Sequence, residues 1–173
     1  EADRLELSLV IFEALLRHPD LADWDGLGIV VQAYGRRATC VIDWLVKTTR
    51  STGRQVPVRL VKGAYWDAEI KRAQAMGLES YPVFTRKEHT DVSYLACARK
   101  LLDATDVIYP QFATHNAHTA AAIITMAPAG VAMEFQRLHG MGEALHKRIS
   151  SSTGIDSRVY APVGQHKELL PYL

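Results

Sequence analysis

Val56-Pro57-Val58-Arg59-Leu60-Val61, closed by Lys62-Gly63-Ala64, is the stretch on which the fold turns. Short, mostly apolar and without steady polar alternation, it has the composition of a strand covered on both faces, and Gly63 punctuates its end. Outward from it, short apolar runs keep alternating with helical periodicity. Upstream, Leu5, Leu9, Phe12 and Leu16 recur at helical spacing until His18-Pro19, because proline disfavours a helical residue before it. A strand at 28–33 and a helix over 36–52 follow. Downstream the pattern predicts helices over 67–76 and 90–102, a strand at 107–113, a helix over 116–126 and a strand at 131–136. A helix over 141–149, a strand at 158–161 and the start of a helix at 165–173 complete the chain. Five strands separated by helices mean a parallel α/β sheet. Two architectures fit: a doubly wound sheet, or part of a (β/α)8 barrel.

The chain has 173 residues, 48% hydrophobic and 23% charged, with a formal net charge of +1. That charge balance leaves no footprint for nucleic acid, which needs clustered basic residues in excess. No apolar run approaches the roughly 20 residues that span a bilayer. Cys40 and Cys97, far apart and each in a predicted helix, read as buried inert thiols in a reducing compartment. The sequence opens without a methionine and closes in an apolar run, so a piece of a longer protein is expected.

In either architecture ligands gather at the carboxyl ends of the strands. The residues closing the strands are Gln32, Arg59, Lys62, His115, Gln136 and Tyr160. Arg59 interrupts an apolar strand, where a guanidinium is costly unless paired. It reads either as a structural salt bridge or as a fixed cation opposing an anion or a developing negative charge. Lys62 before Gly63 suits phosphate contact or, as in some aldolases, a Schiff base. His115 and His118 lie one helical turn apart, but no third ligand stands near them, so no metal is expected. Glu134 to Gly140 is a second polar strand exit, whose plain reading is a network of buried partners. No GxGxxG, Walker A or GxSxG motif occurs, which disfavours a Rossmann nucleotide site and a serine nucleophile.

At these residues the sequence resembles a known family. Val58 to Asp67 is similar to the flavin-binding strand of the proline dehydrogenase domain, in the variant of the bacterial proline utilization A proteins. Further matches run through Gln32-Ala33-Tyr34, Tyr81 to Lys87, Thr90 to Ala96, Phe112 to Thr119, Glu134 to Gly142 and Tyr160 to Gly164. The resemblance covers essentially the whole chain. It implies an incomplete (β/α)8 TIM barrel, roughly the last five strands with their helices. Residues 1–173 would form a partial proline dehydrogenase domain that binds FAD and oxidises L-proline to 1-pyrroline-5-carboxylate. Arg59, Tyr65 and Tyr160 would be catalytic, with Arg59 near flavin N5. Gln32, Arg59, Val61, Lys62, Gly63, Ala64 and Trp66 would hold the cofactor, with Thr85, Thr114, His115, Asn116, Gln136 and Arg137 lining the rest of it. Leu60, Tyr65, Tyr160 and Tyr172 would form the proline pocket.

The resemblance also implies a membrane quinone as electron acceptor and an aldehyde dehydrogenase domain in the parent chain. A cytoplasmic location follows, with peripheral membrane association open to the parent enzyme. In the family two arginines just past the last pocket tyrosine clamp the proline carboxylate, whereas here the sequence stops at Leu173. The family's lysine on the first strand and an aspartate upstream of Glu1 are also missing. The resemblance therefore implies an impaired fragment, set beside a catalytically silent flavin-binding fragment and an aldolase-type barrel using Lys62.

Overall fold

In the computed structural model, residues 4–161 and residue 164 are described. Among them the elements are, in order, α1 (Leu5–Leu16), β1 (Ile29–Gln32), α2 (Ala38–Thr52), β2 (Val56–Val61), α3 (Trp66–Ala75) and α4 (Lys87–Leu102). They continue as β3 (Ile108–Ala113), α5 (Ala117–Met126), β4 (Glu134–Leu138), α6 (Glu143–Thr153) and β5 (Asp156–Tyr160). A short 3-10 turn, Pro19–Leu21, follows α1. The strands pair in parallel in the order β1-β2-β3-β4-β5. Sequential order decides between the two architectures. A doubly wound sheet reverses its strand order at a switch point, whereas right-handed crossovers between successive neighbours keep the helices on one side. Accordingly α2 packs on β1, α4 on β2 and β3, and α6 on β4 and β5, with α4 wedged between α2 and α5. This is an arc of (β/α)8 wall.

Alternation along each strand separates two faces. On β2, Val56, Val58 and Leu60 are buried against the helices, while Pro57, Arg59 and Val61 remain partly open on the other face. The helix-facing side merges with Ile42, Leu45, Leu101, Phe112, Ile123 and Phe135 into one core. Tyr94 of α4 stands inside it, its hydroxyl donating to the carbonyls of Ala113 at 3.1 Å and Leu60 at 3.3 Å. That bond ties the carboxyl ends of β2 and β3 together, and burial pushes the phenol far above its ordinary range.

The second face is the inner one. Register sets Val30 beside Arg59, Arg59 beside Gln111, Gln111 beside Glu134 and Glu134 beside Asp156. One level nearer the carboxyl ends lie Gln32 beside Val61, Ala113 beside Gln136 and Gln136 beside Arg158. The Arg59 guanidinium carbon reaches 4.6 Å from the centre of the Tyr160 ring. In a flat sheet β2 and β5 would stand about 14 Å apart, three strand spacings. The contact shows that the sheet curls toward this face, as a barrel wall does.

Several boundaries move from their sequence-based positions. β4 begins three residues later than expected and runs through Arg137 and Leu138, because Val131 turns back onto the Pro128 carbonyl instead of pairing. Helix α4 starts at Lys87 rather than Thr90. Cys97 is buried, with its thiol pushed up to about 11 by burial, but Cys40 is exposed on α2, contrary to expectation. The helix expected at 165–173 lies outside the described residues, as does Tyr172. No helix among the described residues is long and apolar enough to cross a membrane.

Candidate functional site

The site begins where β2 ends. Gly63 has φ 142°, a conformation closed to side-chain-bearing residues, and a Cβ there would meet Tyr34 Cγ at 2.4 Å. The ring of Tyr34 therefore lies directly against the backbone of the turn, and its hydroxyl donates to the Ala64 carbonyl at 2.8 Å. From β1, Gln32 Oε1 accepts from the Ala64 amide at 3.1 Å. The loop after β2 is thus held from both sides by residues closing β1. Tyr65 follows in the left-handed region at φ 63°, 58% exposed at the head of α3. Trp66 donates its indole N–H to the Phe84 carbonyl at 2.8 Å, which fastens this loop to the segment before α4.

Between those two segments lies a cavity of about 350 Å³ lined by Lys62, Gly63, Trp66, Thr85, Lys87 and Asp91 among others. Asp91 accepts from Lys62 and Lys87, each at 2.5 Å. The bond from Lys62, then that from Lys87, holds its carboxyl below the ordinary range. A Schiff-base lysine is activated by desolvation or by a neighbouring cation. Lys62 shares a carboxylate partner with Lys87, so two ammonium groups stand on one anion at the rim of this cavity.

Arg59 stands on the inner face below this loop. The salt bridge considered for it is absent among the described residues. Its Nε is buried without a hydrogen-bond partner among them, and its guanidinium lies over Tyr160. A stacked cation with an orphaned donor is a site prepared for an acceptor.

At the end of β3, His115 Nε2 accepts from the Leu138 amide at 2.9 Å. That bond requires Nε2 to be unprotonated, which places the proton on Nδ1. Burial, reinforced by the neighbouring His146 and Arg137, holds the imidazole below its ordinary pKa. Asn116 caps α5: its Oδ1 accepts from the Thr119 amide at 2.9 Å. Thr114 accepts from the Asn116 amide through Oγ1, and its carbonyl lies 2.9 Å from His146 Nε2.

His146 escaped the sequence reading. It is 2% exposed on α6, with Nδ1 2.7 Å from Ser157 Oγ and its ring edge-on to Phe135. The Thr114 carbonyl can only accept, so Nε2 carries the proton and Nδ1 accepts from Ser157. His146→Ala removes both bonds and a packed ring, and should cost about 3 kcal/mol. Urea denaturation of the variant checks this.

Glu134, the first residue of the polar strand exit noted in the sequence, organises the inner face. It takes a bidentate pair from Arg158 at 2.7 and 2.9 Å, and bonds from Gln136 at 2.7 Å and Gln111 at 2.9 Å. Here the buried network anticipated for this strand exit is present. Burial pushes the Glu134 carboxyl up, but the bonds from Arg158 and Gln136 outweigh it and leave it below the ordinary range. A depressed carboxylate adds stability in full above its unfolded value and loses it as pH falls through the folded one. Wild type should therefore lose urea resistance more steeply than Glu134→Gln between neutrality and about pH 3.

Among the residues singled out from sequence, Gln32, Arg59, Val61, Gln136 and Tyr160 meet on the inner face. Lys62, Gly63, Ala64, Tyr65, Trp66 and Thr85 form the loops above it, and Thr114, His115 and Asn116 close β3. Two do not join them. Leu60 is 0% exposed in the helix-facing core, because its parity on β2 is opposite to that of Arg59. Arg137 likewise has the helix-facing parity of Phe135 and lines a groove with His146, Lys147 and Ser157. The leucine on the inner face is Leu138, the register partner of Tyr160. The alternation Glu134-Phe135-Gln136-Arg137-Leu138 carried that signal once β4 is extended to its true end.

Comparisons with known proteins agree with this geometry. The family model described as Proline dehydrogenase matches residues 1–173. The bifunctional protein PutA of Salmonella typhimurium is 55% identical over 181 residues, covering 100% of this chain and 14% of that protein. A crystal structure of a mutant of Bradyrhizobium japonicum proline utilization A superposes with TM-score 0.93 at 56% identity, over 99% of this chain and 18% of that one. Proline utilization A from Bdellovibrio bacteriovorus, inactivated by N-propargylglycine, superposes with TM-score 0.87 at 39% identity, over 96% and 17%. The chain thus spans about one seventh of the length of the bifunctional PutA relatives it matches.

Proposed function

The chain belongs to the proline dehydrogenase family, and from that premise we propose that residues 1–173 form the FAD-facing part of a barrel that oxidises L-proline to 1-pyrroline-5-carboxylate. The observation that carries this reading is Arg59. Its buried Nε lacks a partner among the described residues, and its guanidinium is stacked on Tyr160. These features would suit the isoalloxazine of FAD on the inner face, with the Lys62 rim holding the pyrophosphate of the same cofactor.

When bound, FAD supplies the two-electron acceptor for the hydride that leaves C5 of the pyrrolidine ring. The chain supplies the surroundings. Arg59 presents a fixed cation, which favours negative charge arriving on the acceptor. Tyr160 holds that cation in orientation. Tyr160, Leu138 and Tyr65 give the aromatic and aliphatic walls that keep water from the reacting carbon. Gln32, its oxygen held by the Ala64 amide, offers its NH2 end as a donor. Lys62, Gly63, Ala64, Trp66 and Thr85 hold the ribityl and pyrophosphate portion, and Thr114, His115 and Asn116 bound its far side.

In the parent enzyme, electrons pass on to a membrane quinone and the product to an aldehyde dehydrogenase domain. The location is cytoplasmic, with peripheral attachment to the membrane. Titration of the purified chain with FAD tests the first part: uptake should shift and quench the flavin spectrum. Anaerobic L-proline should bleach the flavin of the full-length parent enzyme. Absence of FAD uptake by the chain refutes the cofactor assignment, and absence of bleaching in the parent refutes the oxidation. Uptake without bleaching in the 173-residue chain alone favours a catalytically silent flavin-binding fragment.

A further inference from the structure

Glu134 is 3% exposed, takes hydrogen bonds from three strands, and has no part in the chemistry assigned above. Its position bears on what the glutamines around it can offer. An ionised carboxylate only accepts hydrogen bonds. With Arg158 bidentate on Glu134, the partners Gln111 and Gln136 must both turn their NH2 ends toward it. Amide ends are distinguished by such partners, and here the assignment is forced. The oxygen of Gln136 is then the end left for a ligand. Gln32 is set the opposite way, since a backbone N–H holds its oxygen. One rim glutamine donates and the other accepts.

Oxidised isoalloxazine has several acceptors but a single ring N–H, at N3 of its pyrimidine ring. We propose that Glu134 is a positioning residue that locks the Gln136 amide with its oxygen available, so that the site selects a flavin head group by its N3–H. This rests on the FAD reading above. The inference concerns the acceptor-only carboxylate and not the ion pair itself, so removal of Arg158 preserves the selection at alkaline pH, where Glu134 stays ionised without its partner.

FAD and 3-methyl-FAD, which lacks the N3–H, are to be titrated into the 173-residue chain, Glu134→Gln and Arg158→Met, with circular dichroism to verify folding. Wild type should bind 3-methyl-FAD at least about tenfold more weakly than FAD. Glu134→Gln, whose own amide satisfies Gln136 in either orientation, should narrow the gap to about threefold or less. Arg158→Met should keep it at alkaline pH. If wild type takes up FAD but treats the two flavins alike, the proposal falls while the cofactor assignment stands. Discrimination retained by folded Glu134→Gln, or lost at alkaline pH in folded Arg158→Met, also overturns it. Should Glu134→Gln not fold, Gln136→Ala decides, because it removes the acceptor and makes room for the methyl group. Discrimination surviving in that variant refutes the proposal, and its collapse supports it. No uptake of FAD by wild type defeats the cofactor assignment and the proposal with it.

Discussion

Gly63→Ala is expected to destabilise the chain by about 3 kcal/mol and to remove its affinity for FAD, since a side chain there is strained by its backbone angle and collides with a packed ring. Two effects combine. At φ 142° an alanine must leave the favoured regions of backbone space, and its Cβ would enter the Tyr34 ring at 2.4 Å. Tyr34 has little freedom to retreat, because its hydroxyl is bonded to Ala64 and the Ala64 amide is bonded to Gln32. The turn itself would have to shift, carrying Lys62 and Trp66 with it. Urea denaturation and flavin titration measure the two losses separately. A Gly63→Ala protein with unchanged midpoint and FAD affinity would mean that the turn does not have the described conformation. In Tyr34→Ala the collision is gone but the backbone strain remains, so the double variant should recover only part of the stability lost in Gly63→Ala.

In the full-length parent enzyme, Arg59→Met should leave FAD affinity within about tenfold of wild type while slowing proline-dependent flavin reduction about 100-fold or more. Most of the cofactor contacts proposed above come from the loops after β2 and β3, and the substitution leaves those untouched. What it removes is a positive charge on the inner face, where charge accumulates only as the acceptor is reduced. Methionine keeps much of the volume and still packs on the Tyr160 ring. Stopped-flow reduction and equilibrium titration separate rate from affinity. Equal losses in both would make Arg59 an ordinary binding residue.

The strand pattern could be read from residue types wherever both faces of a strand are apolar. β1 and β2 fall within a residue of expectation for that reason, and Arg59 stood out because a lone guanidinium breaks such a run. β4 was misplaced because its inner face is polar. Glu134 and Gln136 look like the end of a strand by hydrophobicity, although both are among the most buried polar residues. Their burial depends on Arg158, Gln111 and Tyr109, which come from other strands and cannot be paired with them by spacing. His146 was invisible for a similar reason, since its partners Ser157 and Thr114 lie on different elements. Leu60 was misassigned through family likeness, and a count of parity from Arg59 along β2 corrects it. The conformation of Gly63 could be suspected from its place after a strand, but the ring that makes it obligatory is set by the fold.

The stacking of Arg59 on Tyr160 has a consequence for the order in which the protein acquires competence. Each strand of the sheet pairs with its successor in the chain, so the wall can be laid down progressively from short-range contacts. The Arg59–Tyr160 contact is different: it joins the second strand to the fifth and can form only after β3, β4 and β5 have docked. Until then the guanidinium has neither its aromatic seat nor a fixed orientation, even though the Gly63 turn is already held by β1. A nascent or nicked chain lacking β5 would thus carry a finished Gly63 turn above an unaligned cation. Alignment of Arg59 is thereby tied to β5, the last of the described strands.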